Sequence, residues 1–581
     1  MAKESRLSAI EHTKAASRSL RGTIADELGS SQPGFSSDNA HLLKFHGVIQ
    51  HDDRDVRQAR RQQGLEKQFE FSVRVRPTGG RMTAEQMLGL MDLTDQLCLG
   101  PLRLTSRQGL QLTHLPKHHL REVIQRITSL GMTTFSSGGD VNCNVMCCPA
   151  SYGDAQQELR ALADEIAATL MPDAQAYDEL WLSDVVPHKR AHVDVANVDA
   201  VYGESYLPHK FKVGLALPED NCVDVYAQDV GLLAIREGGR IAGYEAIVGG
   251  GMGMIPSAAA SFPALAQPMA FVPPEDVLEL ILAIMTVYRD IGNRTSRSKA
   301  RLKYLIGTLG LDEFRRRVEQ QMGRPLAAPR GISVSGREDH LGWNAQDDGK
   351  WLMGVQVESG RLDDGHRGGV RSAVRDILIR FGADLWLTPQ QNLLCEADAS
   401  SRDEIDTILA RHDVPLADTL SGVRRGAMSC PALPDCSNAI TEAERIVPEV
   451  LAALEAEMER LGLADEHCAI CVTGCPSGCA RCYLADIALV GRTVDGKRAE
   501  DKFAIYVGGD RLGHRLNQLY LDLAPIDEVI AALKPLLAQY KQGRDPGESL
   551  GAFFDRKGVE QLRRFDRATA TGQTNDEVET E

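Results

Sequence analysis

A strand–turn–helix–strand–helix pattern occurs twice in this chain, once near residue 70 and again near residue 350, and this repetition restricts the fold more than any other feature. In the first copy Phe69-Glu-Phe-Ser-Val-Arg-Val-Arg76 alternates with the two-residue period of a half-buried strand. Pro77-Thr-Gly-Gly80 turns it, a helix pattern runs through Met87, Leu90 and Met91, Leu102–Leu112 reads as a second strand, and a helix follows from about His118 to Leu130. In the second copy Met353, Val355 and Val357 share one strand face, Gly360 turns the chain, Val370–Phe381 reads as a helix, and Leu385–Leu394 is a strand of the same form. Leu104-Thr-Ser-Arg-Gln108 and Leu387-Thr-Pro-Gln-Gln391 stand in matching surroundings. The expected fold class is therefore α+β, internally duplicated about a pseudo-twofold.

The chain has 581 residues, enough for about three to five folding units. The pattern divides it into an N-terminal wrapping arm (1–65), two duplicated half-domains (66–134 and 345–416), α/β domains at 135–344 and 417–567, and a polar tail (568–581) expected to be disordered. Its longest apolar stretch, Val277–Tyr288, is too short to span a bilayer and contains Glu279, and no apolar leader follows Met1, so neither membrane nor secretory pathway is expected. Lys and Arg number 65 against 81 Asp and Glu, a net charge of −16 that argues against nucleic acid as a partner. Against that acidic background the first repeat places Arg74, Arg76, Arg103 and Arg107 on its polar face. The second has Gln356, Glu358 and Gln390 in the matching region. One or two arginines are ordinary edge-strand charges. Four in one repeat and none in its twin point to an anion site. Lys210 and Lys212 lie two apart, as a strand would place them on one face. Gly249-Gly-Gly-Met-Gly253 is a flexible cluster that fails the dinucleotide fingerprint, since Pro256 stands at the third glycine.

Thirteen cysteines in a chain without a leader suggest metal before disulfides. Five lie in Cys468-Ala-Ile-Cys471-Val-Thr-Gly-Cys475-Pro-Ser-Gly-Cys479-Ala-Arg-Cys482, and Cys430 and Cys436 lie upstream. Cys468, Cys471, Cys479 and Cys482 have the spacing of a zinc knuckle. Cys430, Cys436, Cys475 and Cys479 suit a [4Fe–4S] cluster, with Gly474 and Gly478 letting backbone N–H groups approach inorganic sulfur. Spacing alone leaves both open, with a modest preference for iron–sulfur.

Cys430-Pro-Ala-Leu-Pro-Asp-Cys436 with Thr441-Glu-Ala-Glu-Arg445, and Val472-Thr-Gly-Cys-Pro-Ser-Gly-Cys479, resemble the sirohaem-dependent sulfite and nitrite reductase family. So do Lys44-Phe-His-Gly47, Asp52-Asp-Arg-Asp55, Arg103–Gln108, Tyr206-Leu-Pro-His-Lys-Phe-Lys212, Val248–Gly251, Gly292-Asn-Arg-Thr295 and Val507-Gly-Gly509, in the family's order. The resemblance implies ferredoxin-like half-domains and α/β cofactor-binding domains. It implies a [4Fe–4S] cluster on Cys430, Cys436, Cys475 and Cys479, with Cys479 shared with sirohaem iron and Cys468, Cys471 and Cys482 as bystanders. It implies that Arg103, Arg107, Gln111, Gly249, Gly250, Gly251, Arg294 and Arg297 meet sirohaem, whose carboxylates need cationic partners. Arg74, Lys210 and Lys212 resemble the family's residues for the substrate anion.

The chain departs from the family at Asn142-Cys-Asn-Val145, where Cys143 stands in place of a common arginine, and at Ser477, where asparagine is frequent. A thiol cannot supply the missing charge, so altered substrate affinity or choice is expected unless Arg76 or Lys303 fills the space. The resemblance implies cytoplasmic, assimilatory reduction of sulfite to sulfide. Its alternatives are nitrite reduction to ammonia at the same centre, and a cofactor-bearing but inactive binding or sensor protein. No flavin or nicotinamide domain is recognisable, so an external electron donor is expected. Leu341-Gly-Trp343 with Gly349-Lys350, and Ser298–Tyr304, resemble the ferredoxin-dependent branch more than the flavoprotein-coupled one.

Overall fold

In the computed structural model, residues 7–150, 153–183, 199–255, 261–365, 368–494 and 497–564 are described, so the expected tail at 568–581 lies outside them. The described strands form two series of ten. The first is β1 (Val48–Asp52), β2 (Phe69–Val75), β3 (Arg81–Met82), β4 (Leu102–Leu104), β5 (Leu110–Leu115), β6 (Met146–Cys147), β7 (Val213–Ala216), β8 (Val230–Glu237), β9 (Arg240–Val248) and β10 (Gln267–Val272). The second is β11 (Gly342–Ala345), β12 (Trp351–Val355), β13 (Arg361–Leu362), β14 (Leu385–Leu387), β15 (Leu393–Ala397), β16 (Ala427–Ser429), β17 (Ile470–Thr473), β18 (Ile487–Val494), β19 (Lys497–Val507) and β20 (Gln518–Pro525).

The two ferredoxin-like sheets run β1-β2-β5-β4-β13 and β11-β12-β15-β14-β3. Each repeat lends its two-residue strand to the other: Arg361 and Leu362 pair with Arg103 and Leu102, and Met82 and Arg81 pair with Leu385 and Trp386. Glycine makes the exchange possible. At Gly80 (φ 81°) a Cβ would lie 2.3 Å from the Leu387 carbonyl oxygen, and at Gly360 (φ 70°) it would lie 2.3 Å from that of Leu104. No side chain fits there.

The continuous strands expected over Leu102–Leu112 and Leu385–Leu394 are instead hairpins. In both turns a threonine side chain satisfies the backbone. Thr105 Oγ1 accepts the Gly109 N–H at 3.1 Å, and Thr388 Oγ1 accepts that of Asn392 at 3.0 Å. Gln108 and Gln391 take positive φ of 51° and 67°. The expected arm also contributes to the sheet, since Val48–Asp52 pairs antiparallel with Phe69–Val73. Within the Lys44–Gly47 motif His46 is structural: Trp181 Nε1–H donates to its Nδ1 (3.1 Å), leaving Nε2–H to donate to the Leu20 carbonyl (3.0 Å). Burial draws this imidazole down to about 4, so it is neutral.

The two α/β sheets share one plan, β6 to β10 and β16 to β20, each with three parallel strands and two antiparallel ones. The duplication thus includes the α/β sheets. The chain divides into two compact units, one of residues 1–251 and 266–415 and the other of residues 252–265 and 416–581. The second has its own apolar core, including Leu454, Leu489, Phe503, Ile505, Leu533 and Phe553. No helix of the described residues is long and apolar enough to cross a membrane.

Candidate active site

In the first unit the pleat brings Arg74, Gln111 and Arg103 together on adjacent strands, Arg74 opposite Gln111 and Gln111 opposite Arg103. Arg74 Nε donates to Gln111 Oε1 at 2.8 Å. Arg107, in the Thr105–Gly109 turn, donates to Gln228 Oε1 (2.8 Å) and to the Val213 carbonyl (3.1 Å), reaching from the ferredoxin-like sheet to the α/β sheet. Phe211 is fully buried and forms a single bridge with Asn142, so Lys210 and Lys212 on either side of it turn the other way. That segment is extended but is one bridge rather than the strand the spacing suggests.

These cations are crowded. Burial, then Arg107, Arg301 and Lys210, draws the Lys212 ammonium down to about 7. Burial, then Arg301, draws Lys303 to about 7 as well. Burial, then Arg297 and Lys210, lowers Lys44. Two buried carboxylates answer them. Asp140 accepts two 2.6 Å bonds from Arg297 and stands 3.3 Å from Lys14; against the cost of burial, His41, then Arg297 and Lys14, hold its carboxyl well below the usual range. Asp229 accepts from Arg301 at 2.7 Å. Lys44, Arg107, Lys210, Lys212, Arg297, Arg301 and Lys303 therefore exceed the carboxylates among them. Such a concentration of like charge in an acidic protein is stabilised by an anionic guest.

Arg76 supplies the most specific observation. It is 5 % exposed, its Nη1 meets Met171 Sδ at 3.5 Å, and its Nε and Nη2 have no hydrogen-bond partner. Burial lowers its pKa, while Tyr202 and Cys143 lie close enough to act on it electrostatically. A buried guanidinium with two unmatched donors fits a bound oxyanion or carboxylate. Cys143 is itself buried, with its N–H on the Phe211 carbonyl (2.9 Å), and it acts on Lys212 and Arg301 as well.

The Gly249–Gly251 loop is pressed from both sides. At Gly250 a Cβ would come within 2.2 Å of the Tyr226 carbonyl oxygen, and Lys303 Nζ donates to the Gly251 carbonyl at 3.0 Å. Arg294 and Arg297 hold protein groups. Arg294 pairs with Glu11 and donates to the Tyr206 carbonyl (2.7 Å), and Arg297 is the partner of Asp140. Sequence reasoning named Lys303 only as a residue that could fill the space beside Cys143, and it did not single out Lys44 or Arg301 for this site. Their signal was present in Lys44–Gly47 and in the Arg301-x-Lys303 alternation. Arg76 also lines a cavity of about 670 Å³ in this unit, together with Arg81, Arg160, Lys350 and Trp386.

In the second unit Cys430 follows β16, and its Sγ accepts the Gly474 N–H at 3.4 Å. Cys479 and Cys436 both act electrostatically on Cys430 and on Cys475, so the four thiols share one locale. Burial, reinforced by Cys479, pushes Cys475 up to about 11. Cys479 is exposed. The loops are tight: at Gly474 a Cβ would lie 2.5 Å from Ala432 Cβ, and Gly478 has φ 64°. The set fits an iron–sulfur cubane, which spreads its thiolates more widely than a single ion does. The zinc knuckle does not assemble. Cys468 is fully buried, Cys471 Sγ turns to the Ala480 carbonyl (3.4 Å), and among the described residues these four bring no common set of ligand atoms together.

Comparison with known proteins adds to this geometry. The family model described as the nitrite and sulphite reductase 4Fe-4S domain matches residues 162–326 and 422–566. The model of the nitrite/sulfite reductase ferredoxin-like half domain matches residues 65–130. The chain is 36% identical to a sulfite reductase [NADPH] hemoprotein beta-component of Staphylococcus saprophyticus, covering 96% of this chain and 97% of that one. It is 38% identical to a sulfite reductase [ferredoxin] of Synechococcus elongatus, covering 96% and 91%. Its fold is similar to the solved structure of the Mycobacterium tuberculosis NirA protein, with a TM-score of 0.77 at 22% identity over 97% of this chain and 98% of that one.

Proposed function

The chain belongs to the nitrite and sulfite reductase family, and from that premise we propose that it reduces sulfite to sulfide with six electrons from an external carrier. The observation that supports this reading best is the cation cluster around Lys212 and Arg76, in a chain that also gathers Cys430, Cys436, Cys475 and Cys479.

The cofactors are sirohaem and a [4Fe–4S] cluster, which when bound supply single electrons and an iron for the substrate to ligate. Cys430, Cys436, Cys475 and Cys479 would hold the cluster. Lys44, Arg103, Arg107, Gln111, Arg301, Lys303 and the Gly249–Gly251 loop would hold the macrocycle and its carboxylates. Arg297 and Arg294, tied to Asp140 and Glu11, position that wall. Reduction of sulfite consumes six electrons and seven protons and releases hydrosulfide and three waters. Arg74, Arg76, Lys210 and Lys212 hold the sulfite oxygens and polarise the S–O bonds. Lys212, with an ammonium near 7, donates a proton to a departing oxygen and is reprotonated at neutral pH. In this reading Arg76 provides the charge that Cys143 does not.

The test is turnover of sulfite and nitrite side by side, with chemically reduced methyl viologen and fully loaded protein. A higher kcat/KM for sulfite is expected. A higher value for nitrite transfers the reading to ammonia formation, and turnover of neither removes the catalytic reading. Exchanging viologen for reduced ferredoxin, or for NADPH with a flavoprotein, identifies the carrier, and ferredoxin is expected to serve. Assimilation in the cytoplasm is the corresponding physiological role.

A further inference from the structure

Four ligand-type side chains far apart in sequence meet in the first α/β domain: Cys148 just after β6, Asp220 and Cys222 in the loop after β7, and His340 just before β11. Their ligand atoms all lie within 4.8 Å of one another. Cys148 Sγ is 2.8 Å from Asp220 Oδ2 and 3.5 Å from His340 Nε2, and His340 Nε2 is 3.0 Å from Asp220 Oδ2. All four are buried, between 0% and 3% exposed. Asp220 is oriented by its other oxygen: Oδ1 accepts the N–H groups of Cys222 (3.2 Å) and Glu338 (3.1 Å), which leaves Oδ2 aimed at the sulfur and the imidazole. Two thiols, an imidazole and a carboxylate with no water access cost free energy to bury together, and an ion that binds all four removes that cost.

The duplication gives this place a second, independent meaning. Val213 and Val230 of β7 and β8 correspond to Ile470 and Ile487 of β17 and β18, and Met146 opposite Gly214 corresponds to Met428 opposite Cys471. The loops end alike, with Asp224 (φ 53°) before the short helical turn Val225–Ala227 and Arg481 (φ 56°) before Cys482–Leu484. Counted from these anchors, Cys148 occupies the position of Cys430 and Cys222 that of Cys479. Pro218 stands where Cys475 does. The first repeat thus keeps two of the thiolate positions and closes the set with Asp220 and His340.

We propose that Cys148, Asp220, Cys222 and His340 bind one Zn²⁺ as a closed, four-coordinate structural site, the single-ion counterpart of the iron–sulfur loops in the second repeat. Two sulfurs, one nitrogen and one oxygen within tetrahedral reach match zinc rather than magnesium or calcium. The ion ties the segment that leads into β11 to the loops behind β6 and β7, and it takes no part in electron transfer.

The test uses the loaded, full-length protein expressed with zinc available. Elemental analysis is expected to find about one zinc per chain beside the iron, and zinc K-edge absorption to show sulfur at about 2.3 Å and nitrogen or oxygen at about 2.0–2.2 Å. Cys222→Ser and His340→Ala are expected to lose the zinc while iron content and the haem absorbance persist. The absorption measurement needs no variant, so the test stands if either substitution fails to fold. Zinc below about a tenth per chain, a Cys148–Cys222 disulfide in the metal-free protein, or zinc bound without sulfur would each overturn the proposal.

Discussion

Burial and the neighbouring cations Arg107, Arg301 and Lys210 lower the Lys212 ammonium, and this has two pH consequences of definite sign. The folded form binds its proton less readily than the unfolded chain, so this residue lowers stability as pH falls from the ordinary lysine range towards about 7, with no further change below. In the proposed mechanism the proton is needed, so activity is expected to be lost as pH rises. Bound carboxylates move that limb upward. With nitrite, a monoanion throughout the neutral range, kcat/KM is expected to fall with rising pH along a limb at or above pH 7. Lys212→Arg is expected to abolish the limb, because guanidinium keeps its proton, and an unchanged limb would reassign the titration. A second pair of variants separates Arg76 from Cys143. Arg76→Met is expected to lower kcat/KM for sulfite by about 10²–10³-fold, as loss of one oxyanion donor does, whereas Cys143→Ala stays within about twofold. The reverse ranking would return Cys143 to the substrate site. Arg74, Lys210 and Lys212 were legible as cations from motif and spacing. The company of Asp140 and Asp229 was not, because those contacts join residues distant in sequence.

At the scale of elements, periodicity revealed the repeat but not how its halves interlock. The exchanged strands β3 and β13 have two residues each, too short for any alternation to register. The hairpins after Leu104 and Leu387 carry no Asn-Gly or Pro-Gly signal, because a threonine side chain does the work that turn residues usually do. The Cys148–His340 group was hidden for the same reason as the buried aspartates: Asp220 and His340 are 72 and 192 residues from Cys148. The exchange itself can be tested with glycine. Gly382 has φ 61° with nothing within 4 Å of the place an alanine methyl would take, so Gly382→Ala should cost about 1 kcal/mol. Gly80→Ala adds a 2.3 Å clash with the Leu387 carbonyl and should cost more than about 2 kcal/mol, read as a lower thermal midpoint by calorimetry. Equal losses would mean that the strand exchange tolerates a shift at β14.

For the whole molecule, the duplicated plan is used asymmetrically. One repeat carries the cations and the other the four neighbouring thiols of Cys430, Cys436, Cys475 and Cys479, in a chain of net charge −16. If Cys430, Cys436, Cys475 and Cys479 hold the cluster, Cys479→Ser should lose iron and haem absorbance together, while Cys468→Ser should keep both. Retention of full iron by Cys479→Ser would reopen the ligand set. The most direct measurement of the central claim is the sulfide formed per electron delivered, with sulfite and reduced methyl viologen supplied to the loaded chain. The account predicts one sulfide for every six viologens oxidised. Viologen oxidation without sulfide, or none at all in a protein carrying its full iron, would contradict it.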